Sequence, residues 1–237
     1  MRNTFSKLLL LIMLGSGIFP SFAQDKDLSN SSYSRDSPID NIKTISGKQI
    51  PVNQLDEFIR RAMDSVGMPG LSIAIINDAE IVYHRSFGVT NVETKEPVTA
   101  QGHGHEKGKI TDAMQHGKSF GAGYSLHTEA VDYAGFLVEM IKSEHLNKEL
   151  RDEMLKAQNE FPPDHELVAT GQTGWGLGFA RRATLYGMRY MHTGNNHDFQ
   201  SYCCFYKEKK YGLVCFTNSD KIEPFYDRLG KFLEDEF

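Results

Sequence analysis

Apolar residues recur at helical spacing between Val52 and Val66, where Leu55, Phe58, Ile59, Ala62 and Met63 fall on one face. Gly67 and the pair Pro69-Gly70 then break the pattern, so the spacing predicts a helix ending there. The period changes at once. Leu71–Ile76 is a short isoleucine-rich run, Asn77-Asp78 has turn chemistry, and Glu80–Phe87 completes a predicted hairpin before Gly88. The helical period returns from Thr128 to Ser143, with Val131, Tyr133, Ala134, Leu137, Val138 and Ile141 on one face and Thr128 as the expected N-cap. A further helix is predicted over Asn147–Gln158, ahead of Pro162-Pro163. Four strand-like runs follow: Trp175–Ala183, Tyr186–Met191, Gln200–Tyr206 and Tyr211–Thr217, with Lys207–Lys210 as a polar hairpin tip. Glu223–Phe237 closes the chain as an amphipathic helix with Phe225, Leu229 and Phe232 facing inward. This order predicts an α+β fold, an antiparallel sheet flanked by N- and C-terminal helices.

Three stretches lie outside that pattern. Arg2 and Lys7, the apolar run Leu8–Leu14 and the small residues around Ser21-Phe22-Ala23 have the layout of a cleaved signal peptide, residues 1–23. The alternative, an uncleaved anchor, needs a longer apolar run to cross a bilayer core of roughly 30 Å. The expectation is a periplasmic or secreted protein with no stable membrane anchor after cleavage. Residues 24–47, rich in Ser, Asp and Asn, read as a mobile leader before a folded domain over 48–237. Gln101–Gly123 is glycine-rich, holds His103, His105 and His116, and has no hydrophobic period. A structureless stretch of that length inside a domain marks either a functional loop or a break in the expected course of the chain.

The net charge is −5, and it becomes more negative once Arg2 and Lys7 leave with the signal peptide. That balance excludes nucleic acid as a partner, because it provides no basic footprint. Three cysteines, Cys203, Cys204 and Cys215, do not make a disulfide framework. They sit in two adjacent strand-like runs as small buried hydrophobes, the alternative being one cross-strand disulfide.

Several stretches together carry a resemblance. The run LDEFIRRAMDSVGMPGLSIAIINDAEIVYHRSFGVTNVETKEPVT (Leu55–Thr99) resembles the N-terminal part of the class C beta-lactamase-like serine hydrolases, a family that also includes penicillin-binding D,D-peptidases and esterases. AGYSLHTEAVDYAGFL (Ala122–Leu137) resembles that family's approach to a helix of its second region. GWGLGF (Gly174–Phe179) and HTGNNHDFQSY (His192–Tyr202) resemble its closing strands. The stretches occur in the family's order and cover most of the chain beyond the leader.

The family's acyl-serine hydrolysis of lactam, peptide or ester bonds needs three motifs: Ser-x-x-Lys for the nucleophile, Tyr-x-Asn or Ser-x-Asn, and a Lys/His-Thr-Gly strand. No serine here has lysine three positions later; Ser32 comes nearest, with Arg35 at that offset. None of the ten tyrosines is followed two residues later by asparagine. EPVTAQ resembles the approach to the nucleophile helix and GHEKGK (Gly104–Lys109) a loop well downstream, which implies an internal junction near 101–103. The expected architecture is therefore an incomplete beta-lactamase-like fold whose helical region is largely missing.

Only the third motif is present. The resemblance implies that His192 stands where the motif has lysine or histidine, to contact a substrate carboxylate or tune proton transfer. Thr193 would offer its hydroxyl to that carboxylate, and Gly194 would let a substrate approach the strand closely. The Asn195 backbone N–H would be half of an oxyanion hole whose other half belonged to the missing serine, and loss of one such donor costs on the order of 10²–10³ in rate.

These readings lead to a chain that is catalytically incompetent, with no cofactor. One alternative is a binding protein that holds a peptidoglycan peptide, lactam or ester in the remains of the cleft. Another is a metal protein built on His103, His105, Glu106 and His116, although a glycine-rich loop is a poor platform for zinc. Ser125 and His127 lie two residues apart in GYSLHT, a spacing that points them to opposite faces in an extended segment. Loss of the helical region also predicts exposed apolar surface and self-association.

Overall fold

The computed structural model describes residues 39–98, 128–196 and 199–235. All of them fall in one unit, Ser37–Phe237. In chain order the elements are β1 (Asn41–Lys43), β2 (Gln49–Pro51), α1 (Val52–Val66), β3 (Gly70–Asn77), β4 (Glu80–Gly88), α2 (Ala130–Lys142), α3 (Lys148–Leu155) and β5 (Asn159–Glu160). A 3₁₀ turn over Glu166–Thr170 leads to β6 (Gln172–Trp175), β7 (Ala180–Thr184), β8 (Gly187–Asn196), β9 (Phe199–Tyr206), β10 (Tyr211–Thr217) and α4 (Ile222–Leu233). Eight strands form one sheet in the order β4-β3-β10-β9-β8-β7-β6-β5, and every pairing is antiparallel. The expected α+β architecture, a sheet flanked by helices in an incomplete beta-lactamase-like arrangement, is the observed one.

Strand alternation sorts the core into two layers. On one face Leu71, Ile73 and Ile75 of β3, Tyr202, Cys204 and Tyr206 of β9, and Leu213 and Cys215 of β10 meet Leu55 and Ile59 of α1 and Phe225 and Leu229 of α4. On the other, Ala74, Ile76, Cys203, Phe205 and Val214 meet Ala130, Ala134, Leu137 and Met140 of α2. The first and last helices of the fold thus cover the same face. Phe58 of α1 stacks on Phe232 of α4, their ring centroids 4.0 Å apart.

Helix α1 has the predicted bounds, closed by Gly67 with left-handed backbone (φ 69°). Several other boundaries moved. Helix α2 begins at Ala130 with Glu129 in the N-cap position and no side-chain cap, so Thr128 does not start it. Helix α3 stops at Leu155, because the N–H of Gln158 is taken by the carbonyl of Trp175 and Asn159–Glu160 joins the sheet as β5. The run Trp175–Ala183 is two strands rather than one. Gly178 at φ +88° turns the chain between them, and the Gly176 N–H closes the turn on the Phe179 carbonyl. Within the stretch taken as a leader, Asn41–Lys43 pairs with Gln49–Pro51 and buries Ile42 against the α1 layer.

One buried polar group ties the sheet to the end of the fold. Arg189 of β8 and Asp235, just past α4, are both 0% exposed and pair at 3.4 Å. The Tyr206 hydroxyl donates to the same Asp235 carboxylate at 2.6 Å. No helix of the described residues is long and apolar enough to cross a membrane.

Candidate functional site

The four residues singled out by sequence lie consecutively in β8, which runs past Met191 to Asn196 and takes the whole motif into the strand. Opposite them on β9, His192 faces Cys203, Thr193 faces Tyr202, Gly194 faces Ser201 and Asn195 faces Gln200. Alternation therefore splits the motif between the two faces. His192 and Gly194 share the α2 face with Cys203 and Ser201, whereas Thr193 and Asn195 belong to the opposite one. His192, Thr193 and Asn195 are all exposed.

The strand's surroundings explain that exposure. Pairing between β7 and β8 runs from Thr184↔Gly187 to Ala180↔Met191 and stops there. From His192 onward, β9 is the one strand among the described residues that pairs with β8. Among the described strands, β8 is thus flanked on one side only beyond Met191.

Neighbouring groups give the α2 face its chemistry. A Cβ placed on Gly194 would lie 2.4 Å from the Ser201 hydroxyl oxygen, so that hydroxyl occupies the space the glycine leaves. The Cys203 thiol is buried, and burial pushes its pKa up to about 11 despite the Tyr133 hydroxyl and the His192 backbone N–H that bond to it. Such a thiol is a packing group, not a nucleophile. All three cysteines are free and buried. The indole of Trp175 meets the His192 imidazole edge to face, with centroids 6.0 Å apart and planes at 78°.

Across the sheet on the same face, His84 and Ser86 of β4 each hold a buried polar atom, Nε2 and Oγ, with no hydrogen-bond partner among the described residues. Burial lowers the His84 pKa; Asp132 of α2 acts against the shift and Arg85 reinforces it. Among the described residues no group of three or more metal-ligating side chains gathers. His103, His105, Glu106 and His116 lie outside the described residues, as do Ser125 and His127.

Sequence reasoning missed Trp175, Ser201 and the Tyr133–Cys203 contact. Trp175 was visible as the chain's single tryptophan inside GWGLGF, but its proximity to His192 depends on how β6 and β8 are placed. Ser201 sits in the quoted HTGNNHDFQSY stretch, yet only the β8–β9 register puts it opposite Gly194.

Comparison with known proteins agrees with this geometry. Residues 55–105 match the beta-lactamase family. No curated protein matches the chain. Among solved structures, the octameric penicillin-binding protein homologue from Pyrococcus abyssi is similar at 14% identity with a TM-score of 0.56, covering 79% of this chain and 78% of that one. The structure of SurE with D-Leu is similar at 11% identity with a TM-score of 0.55, covering 77% of this chain and 74% of that one. The fold is thus of the beta-lactamase and penicillin-binding-protein type, represented in part.

Proposed function

We propose that this chain is an exported relative of the class C beta-lactamase-like serine hydrolases that has lost acylation chemistry and binds a peptide-like ligand along β8. The observation that carries the reading is the exposure of His192 and Thr193 just past Met191, where β7, among the described strands, no longer flanks β8. An extended ligand laid beside β8 there would gain main-chain hydrogen bonds and place alternate side chains on one face. His192 and the Ser201 hydroxyl would meet the ligand on the α2 face, Thr193 and Asn195 on the other. The D-Leu present in the similar SurE structure supports an amino-acid-derived ligand.

Absence of catalysis follows from what the chain lacks. No Ser-x-x-Lys or Tyr-x-Asn occurs anywhere in it, so the family's nucleophile and second proton carrier are both missing. His192 by itself can accept a hydrogen bond, but the sequence holds no Ser-x-x-Lys hydroxyl for it to serve. The proposal extends to self-association through the exposed aromatic side of α2, where Phe136 is 42% exposed; the octameric state of the Pyrococcus homologue supports it.

Isothermal titration calorimetry with short peptides, run beside hydrolysis assays on a chromogenic lactam and an aryl ester, tests the reading. Saturable peptide binding without turnover is expected. Turnover that co-purifies with the protein, or failure of every peptide to bind, overturns it.

A further inference from the structure

We infer that His84 makes the seam between β4 and the first turn of α2 a pH-sensitive latch, closed while its imidazole is neutral and released when the ring takes a proton. The latch stands apart from ligand binding beside β8, and neither depends on the other.

β4 ends the sheet order, and its His84 pairs with Ala74 of β3, which belongs to the core layer under α2. Helix α2 packs on β3, β4 and β10. Two residues along, Ser86 pairs with Ser72 and lies on the same face. The seam thus holds two polar side chains in a layer built from Ala74, Ile76, Ala130, Ala134 and Leu137. The His84 Nε2 and the Ser86 Oγ are both buried there with no hydrogen-bond partner among the described residues. A buried imidazole is tolerable while neutral, whereas an imidazolium needs an acceptor or water.

The surrounding elements supply little to hold that charge. β3 carries no titratable side chain from Gly70 to Asn77. On α2, Tyr133 is engaged with Cys203, Glu139 accepts from the backbone N–H groups of His145 and Leu146, and Lys142 pairs with Glu144. Tyr211 and Cys215 of β10 belong to the opposite core layer, as does Tyr83 of β4, and Glu80 stands at the far end of β4 opposite Asn77. The charges that act on His84 are Asp132 of α2, which attracts the proton, and Arg85 of β4, which repels it. Both are exposed. Water screens an exposed carboxylate, so burial prevails and lowers the His84 pKa.

The first turn of α2 is the part that can yield. Its N-cap residue, Glu129, makes no side-chain cap bond, and Asp132 lies in that same turn. An uncapped first turn lacks a fastening that most helix starts have. Lifting it from β4 admits water to Nε2 and returns the ring to its ordinary pKa. Protonation then favours the opened seam. Opening stays at its basal level above about pH 6.5 and grows as the pH falls from there through the lowered folded value.

Hydrogen exchange of the full chain at pH 7.5 and pH 5.5, corrected for the intrinsic pH dependence of amide exchange, tests the latch. Amides from Tyr133 to Leu137 should open up to about tenfold more often at the lower pH, the limit for one histidine that regains a pKa near 6.5. Those of β9 and β10 should keep their protection. His84→Gln should remove the pH dependence at α2, and Asp132→Asn should enlarge it, since the carboxylate that favours the charged ring is gone. Asp132 is exposed, so that variant decides the matter if His84→Gln does not fold. Protection of α2 that ignores pH, a dependence that survives His84→Gln or is unchanged in Asp132→Asn, or an equal loss across β9 and β10 overturns the latch.

Discussion

The face that packs on α1 and α4 and the face that packs on α2 are built from the same strands, residue by alternate residue, but they are finished differently. Two helices from opposite ends of the sequence close the first. Beneath them Arg189, Asp235 and Tyr206 form a fully enclosed polar network. The second is covered by α2 with Leu155 of α3 and leaves Phe136 exposed; among the described residues each face holds buried polar atoms without a hydrogen-bond partner, the Tyr211 hydroxyl on the first and His84 Nε2 and Ser86 Oγ on the second. The first face joins the chain's distant segments. The second carries His192 and Gly194 of β8 beside Cys203 and Ser201 of β9.

If that division is right, the largest single loss should come from the first face. Asp235→Ala would remove the carboxylate facing the buried Arg189 guanidinium and deprive the Tyr206 hydroxyl of its acceptor. Roughly 3–5 kcal/mol is expected, the usual consequence of breaking a buried pair from one side. Urea denaturation measures it, and a loss below about 1 kcal/mol would mean that the network is not a fastening.

Leu137→Ala on α2 removes a fully buried side chain from the second face and should cost about 2–4 kcal/mol. Hydrogen exchange sharpens the comparison. Amides of α2 should lose protection in this variant before those of β9 and β10, whereas a uniform loss would show that the two faces melt as one unit.

A smaller, pH-dependent effect belongs to His84. Burial holds its folded pKa below the ordinary histidine value, so between the two values the unfolded chain binds more protons than the folded one. Its contribution to stability is complete above about pH 6.5 and is lost as the pH falls from there through the lowered folded value. The melting temperature should drop on acidification over that range, and His84→Gln should flatten the slope. A slope unchanged in the variant would place its origin elsewhere. Asp132→Asn, which removes the carboxylate opposing the shift, should steepen it.

The smallest effect concerns the exposed aromatic side of α2. Phe136→Ser should cost about 0.5–1.5 kcal/mol through the lost ring contacts with Tyr133 and Phe179, and lower the sedimentation-derived mass if that side is where copies meet. An unchanged mass would rule this surface out as the contact.

Local periodicity made much of this legible beforehand. Helix α1, the β3–β4 hairpin, β10 and the inward set of α4 follow from side-chain spacing within a few residues, and that information is present in any short window of the chain. The strand expected from spacing, Tyr186–Met191, stopped short of the His-Thr-Gly run, which was noticed through its resemblance to a family motif and lies inside β8. Where glycines fold the chain sharply, spacing failed. GWGLGF looks like the middle of one strand and is the corner between β6 and β7, because φ at Gly178 is a choice that composition permits without dictating.

What the sequence determined by itself, then, is most of the helices and strands, together with the fact that it contains no Ser-x-x-Lys. Tertiary structure alone decided which residues meet. The pairing of Arg189 with Asp235, of Trp175 with His192 and of Gly194 with Ser201 depends on strand order, register and the docking of the last helix. Those are set by the joint burial of residues far apart in the chain, so no local pattern records them.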